Sequence, residues 1–282
     1  MKLNLSCTDF SFPLLDHDRA LAAIALLGFR GADIGMFEGH GHLKPGVELK
    51  RPQVSGAKLK RRLAAHGLKA SDIFLQIHAG FVEFAINHPE AKRRVFARDQ
   101  FLRTLDYAQA AGAGHVTILP GVTFAEESRA AAVARSAEEL NWRVAQAKAA
   151  KLQLAVEPHV GSLTDTPERA LGLAQRVPGL GFTLDYAHFT RAGIADARIE
   201  PLTQLATHLH ARTARRGRLQ APLKENTIDF RRVVTALGRQ KFNGWVALEY
   251  VWIDWEHCNE VDIISETVQL KNLLTAAAAN IK

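Results

Sequence analysis

Short runs rich in Val, Ile, Leu and Phe alternate along this chain with longer stretches whose apolar residues recur every three or four positions. The short runs have the length and composition of buried strands, and the longer stretches have the period of amphipathic helices. The pattern predicts strands at residues 3–10, 31–37, 71–78, 115–121, 152–159, 181–188, 208–213 and 245–252. Helical periods fill the intervals, from "DHDRALAAIALLG" to "VDIISETVQLKNLLTAAAANI". Gly28, Gly67 and Gly112 follow apolar stripes as helix stops, and Thr166 before Pro167 reads as an N-cap followed by the first helical residue.

Eight strand–helix units imply a parallel sheet, and their unbroken composition favours closure into one (β/α)8 TIM barrel over residues 1–282. An open doubly wound sheet loses support because "SCTDFSFP" follows the first strand where a dinucleotide site would need a Gly-rich turn.

Composition narrows the class further. With 47% hydrophobic and 23% charged residues, the chain has material for a large core and no disordered signature. Cys7 and Cys258 are too few and too far apart to form a disulfide framework. No stretch has the apolar length of a membrane span, and "MKLNLSCTDFSF" lacks the apolar core of a signal peptide, so a cytoplasmic protein without a membrane partner is expected. The net charge of +7 raises the question of a polyanionic partner. Most of the basic residues fall on helical segments and fit solvated faces; the exception is the cluster Arg212, Arg215, Arg216 and Arg218.

In such a barrel, chemistry gathers where strands end and the βα loops begin. Those positions carry Asp33, Glu38, His78, Glu157, His159, Asp185, His188, His208, His210 and Glu249. Glu157, Asp185, His210 and Glu249 come one from each of the last four strands, about one unit apart. Neighbouring strands lie about 4.8 Å apart, so the four can converge, and three carboxylates that close repel unless a cation bridges them. One divalent ion answers this. Oxygen-rich ligation with one imidazole ranks Mn²⁺ or Mg²⁺ ahead of Co²⁺ or Zn²⁺.

"AVEPHVGSL", "FTLDYAHFTRAG", "HLHARTARRG" and "WVALEY" resemble the xylose isomerase-like TIM-barrel superfamily of sugar phosphate isomerases and epimerases, which also includes the AP endonuclease family 2-like fold. The resemblance implies metal ligation by Glu157, Asp185, His210 and Glu249, and substrate oxygens bound by His188 and Arg216. Two departures stand out. Many members carry "HLKD" at strand 7 where this chain has "HARTARRG", and Leu163 stands where ketose epimerases have a second Glu.

The expected activity is that of a divalent-metal-dependent isomerase or epimerase acting on a keto-sugar or sugar derivative through an enediolate. Glu157 and Glu249 would move the proton, with His159 as a further base and His188, Arg216, His78, His208 and Arg212 as candidate substrate contacts. The alternative is a metal-dependent lyase, dehydratase or C-glycoside deglycosidase, suggested by "EPH" and the aromatic "YVWIDW". An AP endonuclease, and with it a nucleic-acid partner, ranks last because a donor set for three metals is missing. Whether the chain forms a homo-oligomer is left open.

Overall fold

The computed structural model describes residues 1–281 of the 282. In chain order the elements are β1 (Asn4–Thr8), α1 (His17–Leu26), β2 (Gly31–Phe37), α2 (Pro45–Glu48), α3 (Pro52–Ala65), β3 (Lys69–Gln76), α4 (Ala91–Ala111), β4 (His115–Ile118) and α5 (Arg129–Ala149). There follow β5 (Gln153–Val156), α6 (Pro167–Ala174), β6 (Gly181–Asp185), α7 (Tyr186–Arg191), α8 (Asp196–Ile199), β7 (Ala206–Ala211), α9 (Phe230–Arg239), β8 (Trp245–Leu248) and α10 (Ile263–Ala279). The eight strands are parallel and in sequential order, and β1 pairs with β8 from Asn4↔Trp245 to Cys7↔Leu248, closing the barrel. The expected (β/α)8 architecture is therefore observed.

The local signals act as their chemistry dictates. Gly28, Gly67 and Gly112 sit at φ of 79°, 69° and 77°, left-handed values that stop a helix without a Cβ penalty. Thr166 caps α6 by accepting a hydrogen bond from the Arg169 N–H at 3.3 Å, with Pro167 in the first turn. Asp16, Ser128, Asp229 and Asp262 cap α1, α5, α9 and α10 in the same way.

Several strands end earlier than their apolar runs. β5 stops at Val156 rather than 159, β6 at Asp185 rather than 188, and β8 at Leu248 rather than 252. Each strand ends just before or at the strand-end carboxylate, and the apolar residues beyond it pack into the rim instead of the ladder. β7 is shifted as a whole two residues toward the N-terminus of the expected 208–213, running from Ala206 to Ala211. The segment "EPLTQLAT" is mostly a 3₁₀ turn, Glu200–Leu205, not an α-helix.

Inside the barrel the packing is polar in its lower layers. His115 Nδ1 lies 2.6 Å from Asp72 Oδ1 and its Nε2 lies 2.9 Å from Thr207 Oγ1. The Thr117 and Thr183 hydroxyls meet at 2.6 Å. Buried polar groups are tolerated here because they satisfy one another. Among the described residues no helix is long and apolar enough to cross a membrane.

Candidate active site

At the C-terminal mouth of the barrel lies a cleft of about 320 Å³. Glu157, His159, Arg212 and Glu249 form its polar floor, and Phe10, Phe37, Phe74, Phe81 and Trp255 supply much of its wall. The volume suits a small molecule, and apolar walls around a few convergent polar groups are the usual make-up of such sites.

The floor is built from successive strand ends. Glu157 and Glu249 are the first residues past β5 and β8, His210 is the penultimate residue of β7, and Arg212 follows β7 directly. His210 Nδ1 is the meeting point, 2.7 Å from Glu157 Oε1 and 3.1 Å from Glu249 Oε2. Its Nε2 lies 3.4 Å from Asp33 Oδ2, which His208 Nε2 approaches to 2.5 Å. Asp33 thus anchors both histidines of β7 from below.

Asp185 closes β6 and caps α7: its Oδ1 accepts the Ala187 N–H at 2.8 Å. Its Oδ2 accepts from Arg212 Nε at 3.0 Å and Nη2 at 2.6 Å. His188 lies in α7 rather than in the strand or a loop. The Val160 N–H approaches its Nδ1 and Arg212 Nη2 approaches its Nε2, each at 3.3 Å, and Nε2 lies 3.6 Å from Asp185 Oδ2 and 3.8 Å from Glu157 Oε2. His159 Nδ1 donates to the Val160 carbonyl at 2.7 Å, which leaves its Nε2 lone pair free. Its ring stacks on Trp255, with centroids 5.4 Å apart and planes 13° apart.

These groups are buried, and burial sets the electrostatics. It pushes the Glu157 carboxyl up to about 7; Glu249 and Asp185 add to the rise and the His210 hydrogen bond opposes it. Asp185 is likewise raised, burial outweighing Arg212. Glu249 is lowered, because Arg212 and His210 overcome its burial. His159 is pushed down to about 4 by burial, and His188 falls well below the usual histidine range for the same reason, reinforced by His159 and Arg212. Burial would also depress His210, but Glu249, Asp33 and Glu157 raise it.

Three of the four expected ligands come together. One donor atom from each of Glu157, His210 and Glu249 lies within 4.8 Å of the others, and Glu249 Oε2 has no hydrogen-bond partner, so this set could hold a divalent ion. Asp185 is held by Arg212 and joins no such set among the described residues.

The expected substrate contacts divide. Arg212 lines the cleft beside His159, the expected further base, and His188 lies just behind its floor. His208 is one layer deeper, between Asp33 and the stacked His115 ring, and does not line the cleft. His78 faces a neighbouring apolar cavity with Phe84 and Phe101. Arg216 is exposed and lies over Gly193, outside the cleft lining. Arg215 and Arg218 are ion-paired with Glu225 at 2.9 Å and Glu260 at 2.8 Å. The basic loop is therefore largely neutralised within the chain, which removes the reason to read it as a polyanion site.

Sequence reasoning missed the aromatic walls from the first half of the barrel. Phe10, Phe37 and Phe74 sit on or next to strands, where an apolar residue reads equally as core.

The profile of the family described as xylose isomerase-like TIM barrel matches residues 21–272. The chain belongs to that family. No curated protein matches it in sequence. Among solved structures, an L-ribulose 3-epimerase superposes with a TM-score of 0.77 at 15% identity, covering 99% of this chain and 96% of that one. A probable 3-DHS dehydratase from Bacillus anthracis gives 0.69 at 15% identity, covering 96% and 99%. An AP endonuclease of family 2 from Brucella melitensis gives 0.70 at 16% identity, with the same coverage. At such identities the likeness is one of fold, and three chemistries share it.

Proposed function

We propose that the protein is a sugar isomerase or epimerase that moves a proton at a carbon next to a carbonyl. The observation that carries this reading is the pair of strand-end carboxylates, Glu157 and Glu249, set on one imidazole at the floor of a small-molecule cleft. Their environments push their proton affinities apart: Glu157 is raised to about 7 and Glu249 is lowered. Two carboxylates so separated are suited to different roles in an acid–base cycle. Glu157, ionised, takes the proton from substrate carbon and, as the acid so formed, returns a proton to the enediolate; Glu249 stays ionised and accepts a hydrogen bond from a substrate hydroxyl. His188 lies against Asp185 and Glu157, its Nε2 3.6 and 3.8 Å from their oxygens, and Arg212 presents a cation to an oxygen that gains charge. A divalent ion held by Glu157, His210 and Glu249, with Mn²⁺ or Mg²⁺ best suited to these donors, would add Lewis acidity toward carbonyl and hydroxyl oxygens.

The sugar epimerases of the same fold support this substrate class. The test is incubation with a panel of ketoses in D₂O. An isomer one mass unit heavier from solvent exchange is expected, and products lacking water or an aglycone would sink the reading.

Elimination by a lyase is the second reading, favoured by His159. Its free Nε2 and its place between Phe81 and Trp255 give a neutral base beside an aromatic surface. Product mass separates the two.

A further inference from the structure

Arg212, two residues past His210, is a basic residue buried inside the charge network at the strand ends. Arg212 is 3% exposed, and its guanidinium contacts Asp185 through two nitrogens while Nη2 also lies 3.4 Å from Glu249 Oε2. Both oxygens of Asp185 are then used by donors of the chain itself: Oδ1 by the Ala187 N–H and Oδ2 by Arg212. Glu249 Oε2 is approached by His210 Nδ1 at 3.1 Å and Arg212 Nη2 at 3.4 Å, neither in hydrogen-bonding geometry. Donors of one hard cation sit within about twice a metal–oxygen bond of each other, roughly 4–5 Å. Glu157, His210 and Glu249 meet that limit and Asp185 does not join them.

We propose that Arg212 has taken Asp185 out of the metal site: Asp185 is the counter-ion of a buried guanidinium, and a divalent ion here is held by Glu157, His210 and Glu249 alone. Arg212 then presents a second fixed positive charge to the substrate, suited to one with a carboxylate or another anionic oxygen beside its carbonyl. This assignment rests on the reading of the cleft as the active site, but not on which sugar is turned over.

Mn²⁺ binding to the metal-stripped protein, followed by calorimetry and by the EPR signal of free Mn²⁺, tests it without any substrate. Glu249→Gln and Glu157→Gln should weaken binding by about 10–100-fold, the cost of losing a ligand or its support, while Asp185→Asn should change it by less than about threefold. Arg212→Met should tighten binding at least about tenfold by freeing Asp185, and adding Asp185→Asn to it should remove that gain. Circular dichroism checks that each variant is folded, and the comparison of Asp185→Asn with Glu249→Gln carries the test if Arg212→Met is not. An Asp185→Asn loss equal to that of Glu249→Gln would overturn the assignment, as would the absence of Mn²⁺ binding in every variant. A failure of the isomerase reading would appear only in turnover, which these measurements do not use.

Discussion

Two buried ion clusters can be compared in this barrel. Between α4 and α5, Glu139 is 1% exposed and receives Arg98 at 2.9 Å through both oxygens, Arg143 at 2.6 Å and Arg94 at 3.3 Å. Arg143 and Arg98 also lie over the Trp142 ring, at 5.6 and 5.1 Å. One carboxylate there meets more positive charge than it needs, and no cleft is attached to its oxygens. At the strand ends the balance is reversed. Glu157, Asp185, Glu249 and Asp33 crowd around a single arginine and two histidines of β7, and Glu249 Oε2, Asp33 Oδ1 and His210 Nε2 are left without hydrogen-bond partners. The structural cluster satisfies both Glu139 oxygens and leaves over one donor, Arg143 Nη2, while the strand-end cluster leaves carboxylate oxygens over. The shifts follow: Glu139 is lowered, since its arginines outweigh its burial, and Glu157 is raised, since its burial is undercompensated.

The largest expected effect lies at the deficient cluster. Glu157→Gln should cut turnover by about 10²–10⁴-fold, the usual range for losing a positioned proton-transfer group. In the metal-free protein the same change should leave the melting temperature unchanged or raise it, because a buried carboxylate with too little positive charge is costly to keep. A melting scan that shows Glu157→Gln strongly destabilised would mean the two clusters are alike after all.

At the balanced cluster the sign inverts. Glu139→Gln leaves Arg143 buried and unpaired, so a loss of about 3–5 kcal/mol is expected, read from urea unfolding at pH 7. The pH dependence follows from the lowered Glu139 value. A carboxylate whose folded pKa lies below its unfolded one stabilises the fold above the unfolded value, near 4.3, and that stability disappears as pH falls through the folded value. The gap between wild type and Glu139→Gln should therefore be full at pH 7 and shrink below about pH 4. A gap that grows on acidification would contradict the pairing.

Asp33 links the reactive cluster to the barrel interior, and its effect should be intermediate. Burial alone would raise it, but His208 and His210 hold it below the usual carboxylate range. Through Oδ2 it approaches His210 Nε2 and so points Nδ1 at Glu157 and Glu249. Asp33→Asn should weaken Mn²⁺ binding by about tenfold, as supporting carboxylates behind metal-binding histidines generally do. Unchanged affinity would make Asp33 a packing residue only.

Much of this contrast was visible in the chain before any geometry. The eight units were legible because strand and helix periods alternate without interruption, and the strand-end carboxylates because they recur once per unit. The direction of a charge was not legible. Arg212 in "HARTARRG" looks like one member of a basic loop, yet β7 turns it inward onto Asp185 while Arg215 and Arg218 turn outward to glutamates. The polar layer of Asp72, His115 and His208 was equally hidden, because a polar residue inside an apolar run gives no sign of which cross-barrel partner satisfies it. Strand lengths were overread at β5, β6 and β8, where the rim continues the hydrophobic run after the ladder has ended.

The smallest expected effect concerns the aromatic lip, where neither cluster decides the outcome. Trp255 is 38% exposed, stacks on His159 and begins a segment in which Glu256 and His257 take φ of 57° and 58°. That strained turn is held by Arg191, whose Nη2 donates to Glu256 Oε1 at 2.7 Å. Trp255 is thus placed by backbone and ion pair, and it touches the site only through ring contact. Trp255→Ala removes about 0.5–1.5 kcal/mol of aromatic contact, so KM should rise roughly threefold to tenfold while kcat changes little. A fall in kcat with KM unchanged would show instead that Trp255 fixes His159 for chemistry, and would move weight from the carboxylate pair to the histidine.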